Sequence, residues 1–171
     1  LIREQIESDN AYFMLTSSVL GIEMTSSTYT NIYDNERWNL AVRIKPEHFP
    51  FDGGITSATA PDYNIEFYGV NYALDTVRNE FSLSETISNA KGKSFLSSHK
   101  RVYAGAHRTA FEGSVIDQTD LQIGAIRVWM DYVDNEAIKQ HALDPLNYGA
   151  TEGAYRNSTM FHTNLTGNHI P

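Results

Sequence analysis

The feature that most constrains the fold is a change of hydrophobic period in the last third of the chain. Four apolar side chains recur there at every second position: Ile126, Val128, Met130 and Tyr132. This alternation is typical of a half-buried antiparallel strand. The period then lengthens to that of a helix, with Asp134 as a suitable N-cap and Pro145 just beyond its end. A strand that leads directly into one short helix is therefore predicted.

Strand patterns also dominate the rest of the chain. The cleanest alternation in the first half places four apolar residues on one side: Trp38, Leu40, Val42 and Ile44. Residues 63–67 and 72–83 are predicted to form a hairpin that turns near Gly69. Residues 11–15 and 101–106 add short apolar runs of strand length. We expect one core between two sheets to contain four of these apolar side chains: Trp38, Val42, Val128 and Met130.

These strands are short and mostly antiparallel, which indicates an all-β chain folded as an antiparallel β-sandwich or jelly roll. The one short helix is expected at its periphery. A chain of 171 residues with 41% apolar content suits one domain with a sizeable core. We therefore predict a lead-in segment at residues 1–10, a sandwich domain at residues 11–149 and an extended polar tail or linker at residues 150–171.

The tail has a pattern of its own. It is too polar to form a core, but it carries apolar side chains at intervals: Tyr155, Met160, Phe161 and Ile170. A strap that lays such side chains into the grooves of a partner protein has this pattern. The alternative is a tail that folds back over its own sheet.

Four motifs follow one another in an order that resembles the laminin-G-like, or concanavalin A-like, lectin domains. They are WNLAV at residues 38–42, IEFYGVN at 65–71, YAG at 103–105, and IRVW at 126–129 followed by NEAI at 135–138. In that family the corresponding motifs are a tryptophan-bearing strand, a glycine hairpin, a glycine-rich strand, and a strand that leads into a short helix. The resemblance spans roughly two thirds of the chain and implies a concanavalin A-like jelly roll.

The resemblance also implies a context for function. The favoured one is a non-enzymatic structural or recognition module of a larger virion protein, such as a phage head, fibre, tail or decoration protein, or of an extracellular protein. Such a module would contact other structural subunits, including copies of itself, and could also bind a cell-surface glycan. The alternative is a carbohydrate-binding, lectin-like module appended to a glycoside hydrolase. Both place the chain in a virion or outside the cell.

The charge balance narrows the choice of partners. Acidic residues outnumber basic residues by 21 to 13, which gives a formal net charge of −8. Because Lys and Arg form no run, binding to nucleic acid through phosphates is not expected. No apolar stretch approaches the roughly 18 residues of a membrane span, so no membrane partner is expected. The absence of cysteine excludes disulfides and thiolate metal sites.

Catalytic patterns are missing from the sequence. Glucanases that share the concanavalin-like fold use carboxylates spaced as E-x-D-x-x-E, because the acid and the nucleophile must flank one bond, and that spacing does not occur here. Neither H-E-x-x-H nor G-x-S-x-G occurs. His141 lies three residues after Ile138, on the packing side of the predicted helix, and is interpreted as a hydrogen-bonded structural histidine, with a pH switch as the alternative. We therefore predict that the chain is not an enzyme.

Three places could carry binding. Trp129 lies opposite the apolar side of its strand, where it is either an exposed platform for a sugar ring or covered by a loop. His107 and Arg108 lie where a strand runs into a loop, and the alternative for them is a solvated loop whose arginine pairs with a nearby acid. Asp117 and Asp120 could hold Ca²⁺ together with backbone carbonyls, and an ordinary acidic turn is the alternative. No other cofactor is expected.

Overall fold

The computed structural model describes residues 1–34, 36–48, 60–100, 102–104, 106–108, 115–118, 122–129 and 132–144. The strands within these ranges are β1 (Ile2–Arg3), β2 (Ala11–Tyr12), β3 (Met14–Ser17), β4 (Ile22–Thr25), β5 (Trp38–Pro46), β6 (Tyr63–Ala73), β7 (Thr76–Ile87), β8 (Ala106–Arg108) and β9 (Val115–Gln118). The helices are α1 (Asn89–Ser97) and α2 (Asn135–Leu143). The prediction of an all-β chain is thereby confirmed, because antiparallel strands make up most of the regular structure.

The centre of the fold is an antiparallel sheet of three strands in the order β5–β6–β7. The β5–β6 register runs from Trp38 opposite Asn71 to Pro46 opposite Tyr63. The strand predicted from Trp38 onward is confirmed, and it ends at Pro46 because proline has no N–H to donate to the ladder. The other pairs form two-stranded antiparallel sheets: β1 with β2, β3 with β4, and β8 with β9.

The predicted turn at Gly69 is wrong. Gly69 lies in the middle of β6, and the β6–β7 hairpin turns at residues 74 and 75, between Ala73 and Thr76. A Cβ atom on Gly69 would lie 2.2 Å from the ring of Phe81 and 2.9 Å from a methyl group of Leu40. The glycine is therefore required for a close approach across the sheet rather than for a turn.

One side of this sheet, here called the aromatic face, carries the main core. Buried apolar side chains from the N-terminal third pack on it: Ala11, Phe13, Leu20, Ile22, Met24 and Ile32. The sheet contributes Ile65, Phe67, Phe81 and Ile87, with Trp38 packed beside them. The hairpin β3–β4 lies over the β7 side of this face, where the Glu23 amide donates to the Glu85 carboxylate at 3.3 Å.

The opposite side, here called the helix face, is covered by α2. Tyr68, Val70 and Ile138 are fully or almost fully buried between the sheet and the helix. Asp134 caps α2 as predicted, because its carboxylate accepts a hydrogen bond from the Ala137 amide at 2.8 Å. The helix ends at Leu143, directly before Asp144 and Pro145, as the sequence indicated.

The prediction of one helix is wrong, because α1 is a second one. Lys91, Gly92 and Lys93 lie inside α1. A Cβ atom on Gly92 would lie 2.3 Å from the ring of Tyr63, so the glycine allows α1 to approach the sheet closely. Low helix propensity at one glycine is outweighed here by packing against the sheet.

The predicted common core is only partly correct. Trp38 packs against the aromatic cluster, but Val42 is 58% exposed and Val128 is 75% exposed, and Met130 lies outside the described residues. Residues 122–129 belong to no strand, so the prediction of a half-buried strand is wrong over that range. Both errors have one physical cause, since a period-two pattern identifies a potential apolar side but not what covers it.

Two of the predicted segments, the lead-in segment and the tail, can be compared with the range of described residues. The lead-in segment is partly ordered by pairing, because Ile2 and Arg3 lie opposite Tyr12 and Ala11. The tail of residues 150–171 lies outside the described residues.

Among the described helices, neither is long and apolar enough to cross a lipid bilayer.

Candidate functional site: a charge cluster beside a sheet edge

Four ionisable side chains meet on the helix face and are here called the charge cluster: Arg43, Lys45, Glu66 and Tyr132. Arg43 Nη2 lies 3.0 Å from Glu66 Oε2, and Lys45 Nζ lies 2.7 Å from Glu66 Oε1. The Tyr132 hydroxyl donates to Glu66 Oε2 at 2.8 Å and accepts from Lys45 Nζ at 3.3 Å. One carboxylate is thus bound by three donors from two parts of the chain.

The strand period places the charges of this cluster together. Arg43 and Lys45 are two residues apart on β5, so their side chains lie on the same face of the sheet. Glu66 is directly opposite Arg43 in the β5–β6 register. Arg43 is only 8% exposed, so its charge requires a partner at short range. Arg43 Nη1 also donates to the Val133 carbonyl at 2.9 Å, which attaches the chain before α2 to the sheet.

The electrostatics of the cluster favour its ionised form. Burial alone would raise the pKa of Glu66, but the hydrogen bonds from Lys45 and Tyr132 and the charges of Arg43 and Lys45 outweigh it and hold that pKa below its usual value. For Tyr132, burial and the hydrogen bond to Glu66 raise the pKa. The carboxylate therefore stays charged and the phenol stays protonated at neutral pH. The arrangement fits a structural clamp between the sheet and residues 132–133.

A second group of polar contacts holds α2 itself. The Tyr68 hydroxyl donates to Glu80 Oε1 at 2.7 Å, and burial together with that bond raises the pKa of Tyr68. Lys139 Nζ lies 3.3 Å from the same Glu80 oxygen. Toward β5, Asn39 Nδ2 donates to the carbonyl of the neighbouring residue, Ile138, at 3.1 Å. The helix is thus attached to β5 and to β7.

The charge cluster predicts an acid-dependent loss of stability. The pKa of Glu66 in the folded chain lies below its usual 4.5, so the folded state binds fewer protons there than the unfolded state does. This contribution to the free energy of unfolding is therefore complete above pH 4.5 and is lost as the pH falls through the lower folded pKa. We expect thermal melts between neutral pH and about pH 3 to show a smaller fall in Tm for Glu66→Gln than for the wild type. Equal slopes for the two proteins would contradict the assignment.

Beside the clamp, β5 forms an edge of the three-stranded sheet among the described residues. Leu40 and Val42 point from it to the aromatic face, and they are 44% and 58% exposed. The hairpin β3–β4 lies toward β7, at the other edge, and leaves these two side chains uncovered. We call β5 with Leu40 and Val42 the apolar edge. Toward its C-terminal end β5 carries Arg43, Lys45 and Pro46, and charges and proline discourage pairing with other strands, whereas Leu40 and Val42 expose apolar surface nearer its N-terminal end.

The residues predicted to bind ligands do not form one site. Trp129 is 42% exposed, and one face of its indole stacks on the His141 ring, with ring centroids 5.4 Å apart and planes at 4°. The Trp129 side chain is therefore partly exposed, which is intermediate between the predicted exposed platform and the predicted covered residue. His141 itself is buried on α2, which confirms its position on the packing side of the helix.

The other predicted residues lie on a separate hairpin. His107 and Arg108 belong to β8, and Asp117 belongs to β9, so these residues lie in strands rather than in loops. The β8–β9 register places His107 opposite Asp117. Asp120 lies outside the described residues, so the predicted calcium pair is described at one member only. Across the described part of the chain, His, Asp and Glu side chains form no group of three or more that could hold a metal ion.

The sequence contains a signal for the charge cluster. Arg43 and Lys45 occupy the polar positions of the alternation that starts at Trp38, and Glu66 occupies a polar position of the next strand. Opposite charges on facing strands form cross-strand pairs.

Comparison with known proteins found no matching protein-family model, no matching curated protein and no matching solved structure. Function is therefore inferred from the residues themselves.

Proposed function

We propose that this chain is a non-enzymatic structural or recognition module of a larger virion or extracellular protein, and that it works through contacts with other protein subunits. The resemblance of four ordered motifs to laminin-G-like domains supports that context. Within it, we propose that the strands complete a concanavalin A-like sandwich, with the three-stranded sheet and the hairpin β3–β4 as parts of its two layers. The packing of that hairpin on the aromatic face supports this arrangement.

The observation that carries the proposal is the apolar edge. Leu40 and Val42 stand uncovered beside a strand whose outer hydrogen-bonding side has no partner among the described strands. An extended segment of another subunit that pairs with β5 would satisfy the backbone groups and bury both side chains. A second copy of the chain is the partner that we propose, because two such edges are self-complementary about a two-fold axis.

The state of the ionisable groups supports a non-enzymatic role. The largely buried acid of the helix face, Glu66, is bound by Arg43, Lys45 and Tyr132, and its lowered pKa makes it a poor proton donor at neutral pH. General acid catalysis needs the opposite, a carboxyl group whose pKa is raised toward the working pH. These side chains attach residues 132–133 to the sheet instead.

One observation favours the lectin-like alternative. The indole of Trp129 is partly exposed while its other face rests on His141, and a ring held in this way could stack a sugar. Binding of a glycan that is lost in Trp129→Ala and retained in Val42→Lys would favour a carbohydrate-binding module over subunit contacts. The Trp129 site and the apolar edge are therefore separable by substitution.

The subunit-contact proposal predicts that Val42→Lys weakens self-association. Burying a valine contributes about 1.5–3 kcal/mol, so its replacement by a charge is expected to raise the dimer dissociation constant about tenfold or more. Sedimentation velocity over a range of protein concentrations measures this constant. Val19→Lys is the matched control, because Val19 is an exposed valine in the turn before Gly21, away from β5. A wild-type chain that stays monomeric at every concentration, or equal effects of both substitutions, would contradict the proposal.

A further inference from the structure

We propose that two copies of this chain join through antiparallel pairing of their β5 strands, with Val42 of one copy opposite Val42 of the other. The same register sets Arg37 of each copy opposite Glu47 of the other. This inference rests on the subunit contact proposed above and deepens it, because it fixes which residues meet across that contact. It follows from the hydrogen-bond direction of β5 and from the order of the charges around it.

The direction of the β5 backbone groups follows from one hydrogen bond at the end of the strand. The Glu47 amide donates to the Asp62 carbonyl at 2.8 Å, and this pair continues the register of β5 with β6. Along an antiparallel ladder, residues that bond to the neighbouring strand alternate with residues whose N–H and C=O point away from it. The residues that point away from β6 are therefore Trp38, Leu40, Val42 and Ile44. Within the described part of the chain, their outward N–H and C=O groups have no hydrogen-bond partner.

These outward groups can pair with the same groups of a second copy. A two-fold axis perpendicular to the sheet runs the two β5 strands antiparallel and keeps both aromatic faces on the same side. With Val42 on the axis, Leu40 lies opposite Ile44 of the second copy, and the Trp38 amide reaches the Pro46 carbonyl. Pro46 has no N–H, so the shared ladder ends there. The two apolar side chains that β5 exposes, Leu40 and Val42, then lie in one row with those of the second copy.

The charges around the apolar edge select this register among those that the ladder allows. Arg37 and Glu47 directly flank β5, both are exposed, and they lie opposite one another across the two copies when Val42 is on the axis. Moving the axis by one residue toward the N-terminus sets Arg37 opposite Lys45 instead, and moving it by one residue toward the C-terminus sets Arg43 opposite itself. Opposite charges across two strands are favourable, whereas like charges directly opposite one another are unfavourable. The two-fold axis repeats the pair of Arg37 with Glu47, so this register contains it twice.

The contact is short, which decides how it is best measured. A ladder along one strand of nine residues is a small interface, and interfaces below about 1,200 Å² are typical of weak or transient complexes. We therefore expect the isolated chain to dimerise weakly. Covalent trapping reports the register directly even when the dimer is a minor species.

The absence of cysteine from the sequence allows trapping by a single introduced thiol. Directly opposite residues of a hydrogen-bonded pair have Cα atoms about 5.5 Å apart, within the roughly 4.4–6.8 Å that a disulfide allows. We expect Val42→Cys to form a disulfide-linked dimer under mild oxidation at least about tenfold faster than Leu40→Cys. Leu40→Cys is the matched control, because Leu40 is exposed on the same face of the same strand. In the proposed register its counterpart lies four residues along the ladder, about 13 Å away. Non-reducing electrophoresis of timed samples measures both rates.

Charge reversal tests the same register without cysteine. Arg37→Glu is expected to raise the dimer dissociation constant about threefold or more, because it sets a carboxylate opposite Glu47 at both ends of the ladder. Adding Glu47→Arg to the same chain should restore the wild-type constant, since the pair is then reversed rather than broken. Sedimentation velocity over a range of protein concentrations measures the constant for each variant.

The outcomes separate the register from the function. If the wild type dimerises but Leu40→Cys links as fast as Val42→Cys, or Glu47→Arg does not restore association, the register is overturned while the subunit contact stands. If the wild type stays monomeric at every concentration and neither cysteine variant links, the function proposed for the apolar edge fails, and the register fails with it. Faster linking of Val42→Cys together with restored association supports both.

Discussion

Replacement of Phe81 by alanine is expected to lower the free energy of unfolding by about 3–5 kcal/mol. The Phe81 ring lies at the centre of the aromatic face, with ring centroids 5.1 Å from Phe67, 5.5 Å from Phe13 and 6.2 Å from Trp38. It also covers Gly69 on the neighbouring strand. The three rings belong to different parts of the chain, so none of them could fill the cavity without moving its own backbone.

Chemical unfolding in urea, followed by tryptophan fluorescence, measures this loss. Since domains of this kind are stable by about 5–15 kcal/mol, Phe81→Ala is expected to remove a large part of the total. Phe95→Ala is the matched control, because Phe95 lies on α1 and is partly exposed, and its loss should be much smaller. A change for Phe81→Ala no larger than that of the control would show that the aromatic face is not the main core.

Local sequence signals correctly predicted β5 and the start of α2, because nearby residues determine where these two elements form. The alternation from Trp38 identified β5 because side chains on a strand alternate between faces whatever covers them. Asp134 identified the start of α2 because an N-cap bonds an amide three residues later. Proline after Lys45 and after Asp144 marked the ends of both elements for reasons of backbone geometry.

Features that depend on distant residues were not predictable in this way. Gly69 was interpreted as a turn residue, whereas its role is set by Phe81, which lies opposite it on the next strand. The burial expected for Val42 and Val128 depended on a covering layer that the period-two pattern does not specify. The charge cluster brings Tyr132 to Glu66 across 66 positions of sequence, and no local pattern encodes that distance.

The cluster also shows why the candidate site was missed. Arg43 and Lys45 looked like the solvated side of a half-buried strand, which is the usual place for such residues. The sheet is instead covered on both faces, by aromatic side chains on one and by α2 on the other. A charged side chain on the helix face is then stable only when it has a partner of opposite charge, and Glu66 is that partner for Arg43 and Lys45.

Replacement of Glu66 by leucine is expected to lower the free energy of unfolding by about 3–5 kcal/mol. The substitution introduces an apolar side chain of similar size but leaves Arg43, whose side chain is almost fully buried, without its carboxylate partner. An unpaired buried charge is strongly unfavourable because the interior replaces little of its hydration. Lys45 and the Tyr132 hydroxyl lose the same acceptor, so the attachment of residues 132–133 should weaken as well.

Thermal and urea unfolding of Glu66→Leu, Arg43→Met, their double variant and one control separates the charge effect from packing. Glu47→Leu is the control, because Glu47 is exposed at the end of β5 and makes no ion pair with the described residues, and its change should stay within about 0.5 kcal/mol. The double variant Arg43→Met with Glu66→Leu removes both charges and is expected to recover much of the loss, since buried pairs are often replaceable by apolar residues. If the double variant loses as much free energy of unfolding as the two single variants together, Arg43 and Glu66 do not act as a pair. The clamp between β5 and residues 132–133 must then depend on the remaining contact of Arg43 with the Val133 carbonyl.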